Sequence, residues 1–239
     1  MEYKVNINGL DIEASYRSET IDEILLPLLK KLTKLQKEKG GRVLVMLAAP
    51  PGAGKSTLVS FLEKLSRENL ELEPIQSIGM DGFHMRQEYL TTHTTIRDGE
   101  EVLMVKIKGA PETFDLKGLK ERIERVASGE DCGWPIYDRT LHNPVDNQII
   151  VNTNIVLLEG NYLLLDRPGW DELLSYADYT ISLKADETLL RNRLIERKAL
   201  SGNTIEDATA FVDYSDMVNV RTCINESKKA DLILDVNKL

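Results

Sequence analysis

The most informative stretch of this 239-residue chain is Val43-Leu44-Val45-Met46-Leu47-Ala48-Ala49-Pro50-Pro51-Gly52-Ala53-Gly54-Lys55-Ser56-Thr57. Its first six residues are aliphatic or Met, which predicts a buried strand. Apolar residues recur at helical spacing over 58–65, so a helix is expected after the turn. Gly52 and Gly54 let the backbone turn sharply between these two elements. The stretch therefore predicts a strand, a tight glycine turn and a helix in immediate succession.

The glycine turn also has the chemistry of an anion site. Residues 49–56 match the phosphate-binding pattern G-x-x-x-x-G-K-[ST], except that Ala49 replaces its first Gly. Backbone N–H groups of the turn and the positive end of the following helix would both face a phosphate. Lys55 would contact the β- and γ-phosphates, and Ser56 would offer its hydroxyl to Mg²⁺. An ordinary strand-turn-helix corner is the alternative, but the flanking strand and helix favour the phosphate loop.

Composition limits the classes of protein that need to be considered. Hydrophobic residues make up 42% and charged residues 29% of the chain, which is typical of a globular domain. The net charge of −9 disfavours nucleic acid or an anionic membrane as a partner. Cys132 and Cys223 are too few for a zinc site or a disulfide framework. No signal peptide or membrane span is visible, so a cytoplasmic location is expected.

The N-terminal residues 1–41 are expected to form an appendage with a packing role. Apolar and polar residues alternate around Asn8-Gly9, which is typical of a β-hairpin. An amphipathic helix is predicted next, with Thr20 and Glu23 as a capping box at its start. Residues 42–239 would then form the larger domain.

Two later strands are each expected to deliver an acidic side chain. Residues 75–80 have the pattern of a strand that is followed by Asp81, and residues 155–160 have the pattern of a strand that contains Glu159 near its end. Because ligands of open parallel sheets bind beyond the carboxyl ends of the strands, both carboxylates should lie near the phosphate loop. Glu159 could hold Mg²⁺ through water or orient an attacking group. A simple turn is the alternative for Asp81, since Asp-Gly pairs are common in turns.

The remaining segments predict a layered α/β architecture. Residues 91–109 predict a small hairpin or flap, the sequence Gly133-Trp134-Pro135 predicts a break, and residues 136–144 predict a polar loop. A helix over 187–197 would place two arginines four residues apart on one face, where they would either close over a phosphate or face solvent. Repeated strand-helix alternation predicts a parallel sheet of about five strands with helices on both sides, a three-layer αβα fold.

Six short blocks of the chain occur in the same order as in one kinase family. They cover residues 51–57, 80–84, 109–115, 135–139, 158–162 and 193–197. On these blocks the chain resembles the uridine kinase / phosphoribulokinase / bacterial pantothenate kinase family of P-loop kinases. It looks most like a branch often labelled nucleoside/nucleotide kinase or fructose-transport-system kinase. The resemblance implies a P-loop NTPase fold, ATP and Mg²⁺ as cofactors, and a small-molecule hydroxyl as the phosphate acceptor.

The resemblance also implies roles for individual residues. The residues expected to bind ATP phosphates are Pro51, Gly52, Ala53, Gly54, Lys55, Ser56 and Thr57. The residues expected to hold Mg²⁺ are Ser56 and Glu159. Those with a catalytic role would be Lys55, Asp81, Arg193 and Arg197, with Asp81 as the base or orienting acid and both arginines in a lid. The residues expected to hold the acceptor are His84, Glu112, Tyr137, Arg139 and His142.

The identity of the acceptor stays open at this point. Arg139 takes the place of an aromatic residue of uridine kinases, and the aromatic C-terminal pocket of pantothenate kinases is missing from the sequence. A nucleoside, a sugar and a pantothenate-like alcohol all remain candidates. The alternative function is a regulatory P-loop ATPase without a small-molecule acceptor, and a homodimer is compatible with the sequence.

Overall fold

The computed structural model describes residues 1–7, 10–97 and 99–239, with a five-stranded sheet at its centre. The strands are β1 (Glu2–Ile7), β2 (Leu10–Ser15), β3 (Val43–Ala48), β4 (Ile75–Gly79), β5 (Thr94–Arg97), β6 (Glu100–Leu103), β7 (Cys132–Asp138), β8 (Asn143–Val151), β9 (Ile155–Gly160), β10 (Tyr179–Lys184) and β11 (Leu232–Asp235). The helices are α1 (Leu26–Lys39), α2 (Lys55–Glu68), α3 (Gln87–Thr92), α4 (Leu116–Ala127), α5 (Glu187–Leu200), α6 (Ile205–Phe211) and α7 (Met217–Asn225).

The central sheet has the strand order β11-β10-β3-β9-β4, and every neighbouring pair is parallel. Strand β3 is buried along its whole length, as expected for a central parallel strand covered on both faces. Helices lie on both sides of the sheet. The three-layer αβα architecture with a parallel sheet of five strands is therefore confirmed.

Two apolar cores, one on each face of the sheet, follow from the alternation of side chains along the strands. Val43 and Leu47 of β3 belong to the core that α1 and α2 also line. Leu44 and Met46 point the other way, into the core formed with α4 and the buried Trp134. Because both faces are covered, a ligand can reach the sheet at the carboxyl ends of its strands but not at its faces.

The register of the sheet places Glu159, the predicted acidic residue of β9, at the carboxyl end of the sheet beside the glycine turn. Glu159 pairs with Leu47 of β3 on one side and with Gly79 of β4 on the other. A short 3₁₀ turn, Met80–Phe83, follows β4 directly and carries Asp81. The carboxyl ends of β3, β9 and β4 therefore bring together the glycine turn and both acids.

The N-terminal hairpin pairs as predicted, although its Asn8-Gly9 turn lies outside the described residues. The ring of Tyr16 stacks on Phe61 of α2 at a centroid distance of 4.1 Å, so the hairpin packs on the helix that follows the glycine turn. The predicted capping box is wrong. Thr20 lies inside a helical segment that begins at Ser18 and continues through a π-helical turn, Ile21–Leu25, into α1, and its hydroxyl donates to the carbonyl of Lys238 at 3.1 Å. The division into residues 1–41 and 42–239 stays a prediction.

The segment predicted as a break and a polar loop is instead a two-stranded antiparallel hairpin, β7–β8. Pro135 lies where the register shifts between Trp134 and Ile136, one of the few positions where a strand tolerates proline. The indole N–H of Trp134 donates to the carbonyl of Gly79 at 2.8 Å and fixes the hairpin to β4. The polar turn is only residues 139–142.

Residues 91–109 contain a small antiparallel hairpin, β5–β6, as predicted. Asp98 of its expected turn lies outside the described residues. After β6, Met104–Ile107 forms a 3₁₀ turn. Within residues 1–7, 10–97 and 99–239, none of the helices combines the length and the apolar character that crossing a membrane requires.

Close packing at Gly82 yields a testable prediction about stability. A Cβ atom built at this residue would lie 2.1 Å from the backbone oxygen of Pro135 in β7. We expect Gly82→Ala to lower the free energy of unfolding by about 1–3 kcal/mol in urea titrations, because rigid backbone must move. The control is Gly41→Ala, whose added Cβ meets no atom within 4 Å. Equal stability of the two variants would contradict this packing argument.

Candidate active site

The glycine turn has the geometry of a phosphate loop. Gly52 and Gly54 have φ angles of +82° and +83°, which other residues rarely adopt. A Cβ at Gly52 would approach the carbonyl of Leu190 to 3.2 Å, whereas a Cβ at Gly54 would meet no atom within 4 Å. Helix α2 begins at Lys55 without a side-chain cap, so its first N–H groups point toward the open side of the turn. This arrangement suits an anion at the helix terminus.

Glu159 forms the second part of the site. The hydroxyl of Ser56 donates to its Oε1 at 2.7 Å, and the Nζ atom of Lys55 lies 3.9 Å from its Oε2. The residue is only 7% exposed, and Oε2 has no hydrogen-bond partner among the described residues. Burial raises the pKa of Glu159, while Lys55 acts in the opposite direction.

An unpartnered buried carboxylate oxygen is costly unless something else compensates it. Hard oxygen ligands such as the hydroxyl of Ser56 and the carboxylate of Glu159 are those that Mg²⁺ prefers. Magnesium is usually bound by one or two protein oxygen ligands together with substrate phosphates and water. The residues present therefore fit a Mg²⁺ ion that accompanies a phosphate ligand.

Asp81 lies in the same region as these groups and is surrounded by positive charge. Burial alone would raise its pKa, but nearby positive groups lower the pKa below its ordinary value. These groups are His84 in its protonated form, Lys55, Arg139 and Arg197. A carboxylate held ionised in this way can accept a hydrogen bond from an alcohol at neutral pH.

A wall of aromatic and basic side chains lies beside Asp81. The Nδ1 atom of His84 is 2.9 Å from the backbone oxygen of Asp81, and burial lowers the pKa of this histidine. The ring of Tyr137 lies 5.0 Å from the ring of His84. The Nζ atom of Lys108 is 4.9 Å from the centre of the Tyr137 ring. The structure thus brings His84, Tyr137 and Lys108 together at the Asp81 turn.

Lys108 was not predicted from the sequence. Its ammonium group donates to the side-chain oxygen of Gln87 at 2.8 Å and to the backbone oxygen of His142 at 3.2 Å. The only sequence signal is its position directly before block 109–115, whose function the resemblance had assigned to acceptor binding. Three separate segments must fold together before this contact exists, so local sequence patterns could not reveal it.

Two residues predicted to hold the acceptor make other contacts. Glu112 lies 3.4 Å from Arg167, which also forms a two-pronged ion pair with Glu226 at 2.6 and 2.8 Å. His142 contributes its backbone oxygen to Lys108, and its φ angle of +52° belongs to the tight turn between β7 and β8. Their roles in acceptor binding stay predictions.

Helix α5 carries the predicted lid arginines across the phosphate loop. It begins at the cap residue Asp186, and its Leu194 side chain packs on Gly52. Arg193 donates to the carbonyl of Gly52 at 3.4 Å. Desolvation and the charge of Arg139 lower the pKa of Arg197, one turn further along the helix. Both arginines are therefore close to the positions that a bound phosphate would occupy.

Comparison with known proteins identifies the family. Residues 44–238 match the sequence profile of the Phosphoribulokinase / Uridine kinase family. The chain belongs to this family. The family predicted from the sequence blocks is thus confirmed, and the P-loop kinase family implies the use of ATP and Mg²⁺ in general.

Individual relatives of this kinase family agree with the assignment. The Escherichia coli K12 protein YggC, named as uncharacterized, is 41% identical over all of this chain and 97% of its own length. A proposed uridine kinase of Schizosaccharomyces pombe is 32% identical over 83% of this chain and 85% of its own. A crystal structure from Silicibacter sp. TM1040, described as a proposed fructose transport system kinase, has a TM-score of 0.77 and 31% identity, covering 87% of this chain and 98% of that one.

The buried carboxyl group of Glu159 predicts a pH-dependent stability. Its pKa is raised in the folded chain, so its stabilising contribution is complete at low pH and is lost as pH rises through the folded pKa. Glu159→Gln removes this titration. We therefore expect the stability of the variant, relative to the original chain, to increase as pH rises above 4.5, the ordinary pKa of a glutamate carboxyl group, in nucleotide-free urea titrations.

The control for this experiment is Glu71→Gln, at an exposed residue of the loop between α2 and β4. Its stability difference from the original chain should stay constant over the same pH range. A constant difference for Glu159→Gln as well would show that the Glu159 carboxyl group does not titrate differently in the folded and unfolded states.

Proposed function

We propose that the chain is an ATP-dependent kinase that transfers the γ-phosphoryl group to a hydroxyl of a small molecule. A nucleoside, a sugar and a pantothenate-like alcohol are the candidate acceptors. The observation that carries the proposal is the position of Asp81. This ionised carboxylate lies at the same carboxyl end of the sheet as the phosphate loop and Glu159. An acid in this position is what an acceptor hydroxyl needs beside a bound nucleotide.

On this proposal the phosphate loop binds ATP through its backbone N–H groups and the ammonium group of Lys55. Ser56 and Glu159 would hold Mg²⁺, which when bound neutralises charge on the phosphates. Arg193 and Arg197 of α5 would cover the loop, exclude water and stabilise the charge of the transferring group. The contacts of Arg193 and Leu194 with Gly52 support this arrangement.

Asp81 would accept a hydrogen bond from the acceptor hydroxyl and orient its oxygen toward the γ-phosphorus. The oxygen–phosphorus bond to the acceptor forms while the bond from the γ-phosphorus to the bridging oxygen of ADP breaks. The hydroxyl proton passes to Asp81 late in the transfer and then to solvent. A carboxylate with a lowered pKa is a weak base, so orientation is its larger contribution.

The proposal predicts that Asp81→Asn and Lys55→Ala each lose most of kcat. Loss of a positioned acid–base group typically costs about 10²–10⁴-fold in rate. The measurement is ADP release from Mg·ATP with a panel of nucleosides, sugars and pantothenate. Acceptor-stimulated ADP release should disappear in both variants, while Asp81→Asn should still bind ATP.

Two residues outside the proposed site supply matched controls, the half-buried Lys64 on α2 and the exposed Asp146 on β8. Lys64→Ala and Asp146→Asn should both retain activity. ADP release that no acceptor stimulates and that persists in Asp81→Asn would contradict the kinase proposal. That result would favour the regulatory ATPase instead.

A further inference from the structure

The wall beside Asp81 carries more positive charge than a neutral acceptor requires. Lys108, half-buried, donates only to neutral oxygens of Gln87 and His142. Arg139 lies in the turn that follows β7, and its charge acts on both Asp81 and His84. Among the residues that the structure describes, neither Lys108 nor Arg139 forms an ion pair.

Several arginines elsewhere in the chain do pair with carboxylates. Arg42 pairs with Asp131, Arg167 with Glu226 and Arg191 with Asp213, each at 2.6 Å. The chain has 39 acidic against 30 basic residues, so carboxylate partners are abundant. Lys108 and the exposed Arg139 differ from these three arginines in having no such partner among the described residues, although both border the Asp81 turn.

Leaving an ammonium group partly desolvated without a counter-ion costs free energy. Desolvation lowers the pKa of Lys108, which is a direct sign of that cost. Unfavourable charge arrangements of this kind concentrate at functional sites, where a ligand supplies the missing partner.

The phosphate loop has two cations of its own for the phosphates of ATP. Lys55 begins α2 directly after the phosphate loop, and Arg193 of α5 contacts Gly52 of the loop itself. Lys108 lies over the ring of Tyr137, and the charge of Arg139 acts on Tyr137 as well as on Arg197. A second anionic group, on the acceptor, fits this position.

We propose that the acceptor of this kinase carries an anionic group, a phosphate or a carboxylate, which Lys108 and Arg139 bind while its hydroxyl faces Asp81. The proposal rests on the proposed kinase function. The guanidinium group of Arg139 offers paired donors that match either anion, and Lys108 adds a point charge. Tyr137 lies between Lys108 and His84, so its ring would contact the body of the acceptor.

Matched pairs of compounds test the charge of the acceptor directly. The phosphate arm compares free fructose and free ribose with their monophosphates, and the carboxylate arm compares pantothenate with its neutral alcohol analogue pantothenol. ADP release from Mg·ATP is measured for every compound. The anionic member of at least one pair should have a kcat/KM about 10–100-fold higher, as expected for charge-assisted hydrogen bonds.

Variants then show whether the two cations cause this preference. Lys108→Gln and Arg139→Gln should each raise KM for the anionic acceptor about 10–100-fold and leave KM for ATP unchanged. Both changes should raise KM for the neutral member of the pair by a smaller factor than KM for the anionic member. The matched control is Lys106→Gln, an exposed lysine two residues before Lys108, which should behave as the original chain does.

The outcomes separate this inference from the kinase proposal. Equal or better use of the neutral members, or an unchanged KM in both variants, would overturn the anionic acceptor and leave the kinase function standing. Acceptor-independent ADP release with every compound would overturn both. Stimulation in only one arm would support the inference and identify the anion as phosphate or carboxylate.

Discussion

The buried carboxylate of Glu159 is the constraint on which the arrangement of the site depends. Its place in β9 is fixed by parallel pairing with Leu47 and Gly79 in the strands on either side. A buried charge must be compensated, and the nearest groups are the hydroxyl of Ser56 and the ammonium group of Lys55. These two contacts tie the phosphate loop to the carboxyl end of β9, and Oε2 is left without a hydrogen-bond partner among the described residues.

The position of Asp81 follows from the same strand pairing and from one further contact. Strand β4 ends at Gly79, whose carbonyl accepts the indole N–H of Trp134. Gly82 packs so closely against the backbone of Pro135 that an added Cβ atom would collide with the Pro135 oxygen. The Asp81 turn is therefore held between the sheet and the β7–β8 hairpin, and this rigidity is what a positioned acid needs.

Local sequence signals were sufficient to predict the phosphate loop and the positions of both acidic residues at strand ends. The buried strand before Gly52, and the strands that end near Asp81 and Glu159, could be predicted because each is a short apolar run beside a sharp change in composition. The β7–β8 hairpin was missed because Trp134 and Pro135 look like a break in isolation. A register shift and a hydrogen bond from another strand determine the structure there. The prediction that Thr20 caps a helix failed for a similar reason, because its hydroxyl donates to the backbone oxygen of Lys238, a residue far away in the sequence.

The two halves of the site come from different parts of the chain. The phosphate half is built from the ends of β3 and β9 and from α5, which are fixed by the sheet. The residues proposed to hold the acceptor, from Asp81 through Lys108 to Arg139, lie entirely within the single connection between the neighbouring strands β4 and β9. Substitutions among the exposed residues of that connection can alter which alcohol is bound without disturbing the strand pairing or the phosphate loop. This separation explains how one sheet can serve kinases named for different acceptors, and why acceptor identity has to be sought in the charges of that connection.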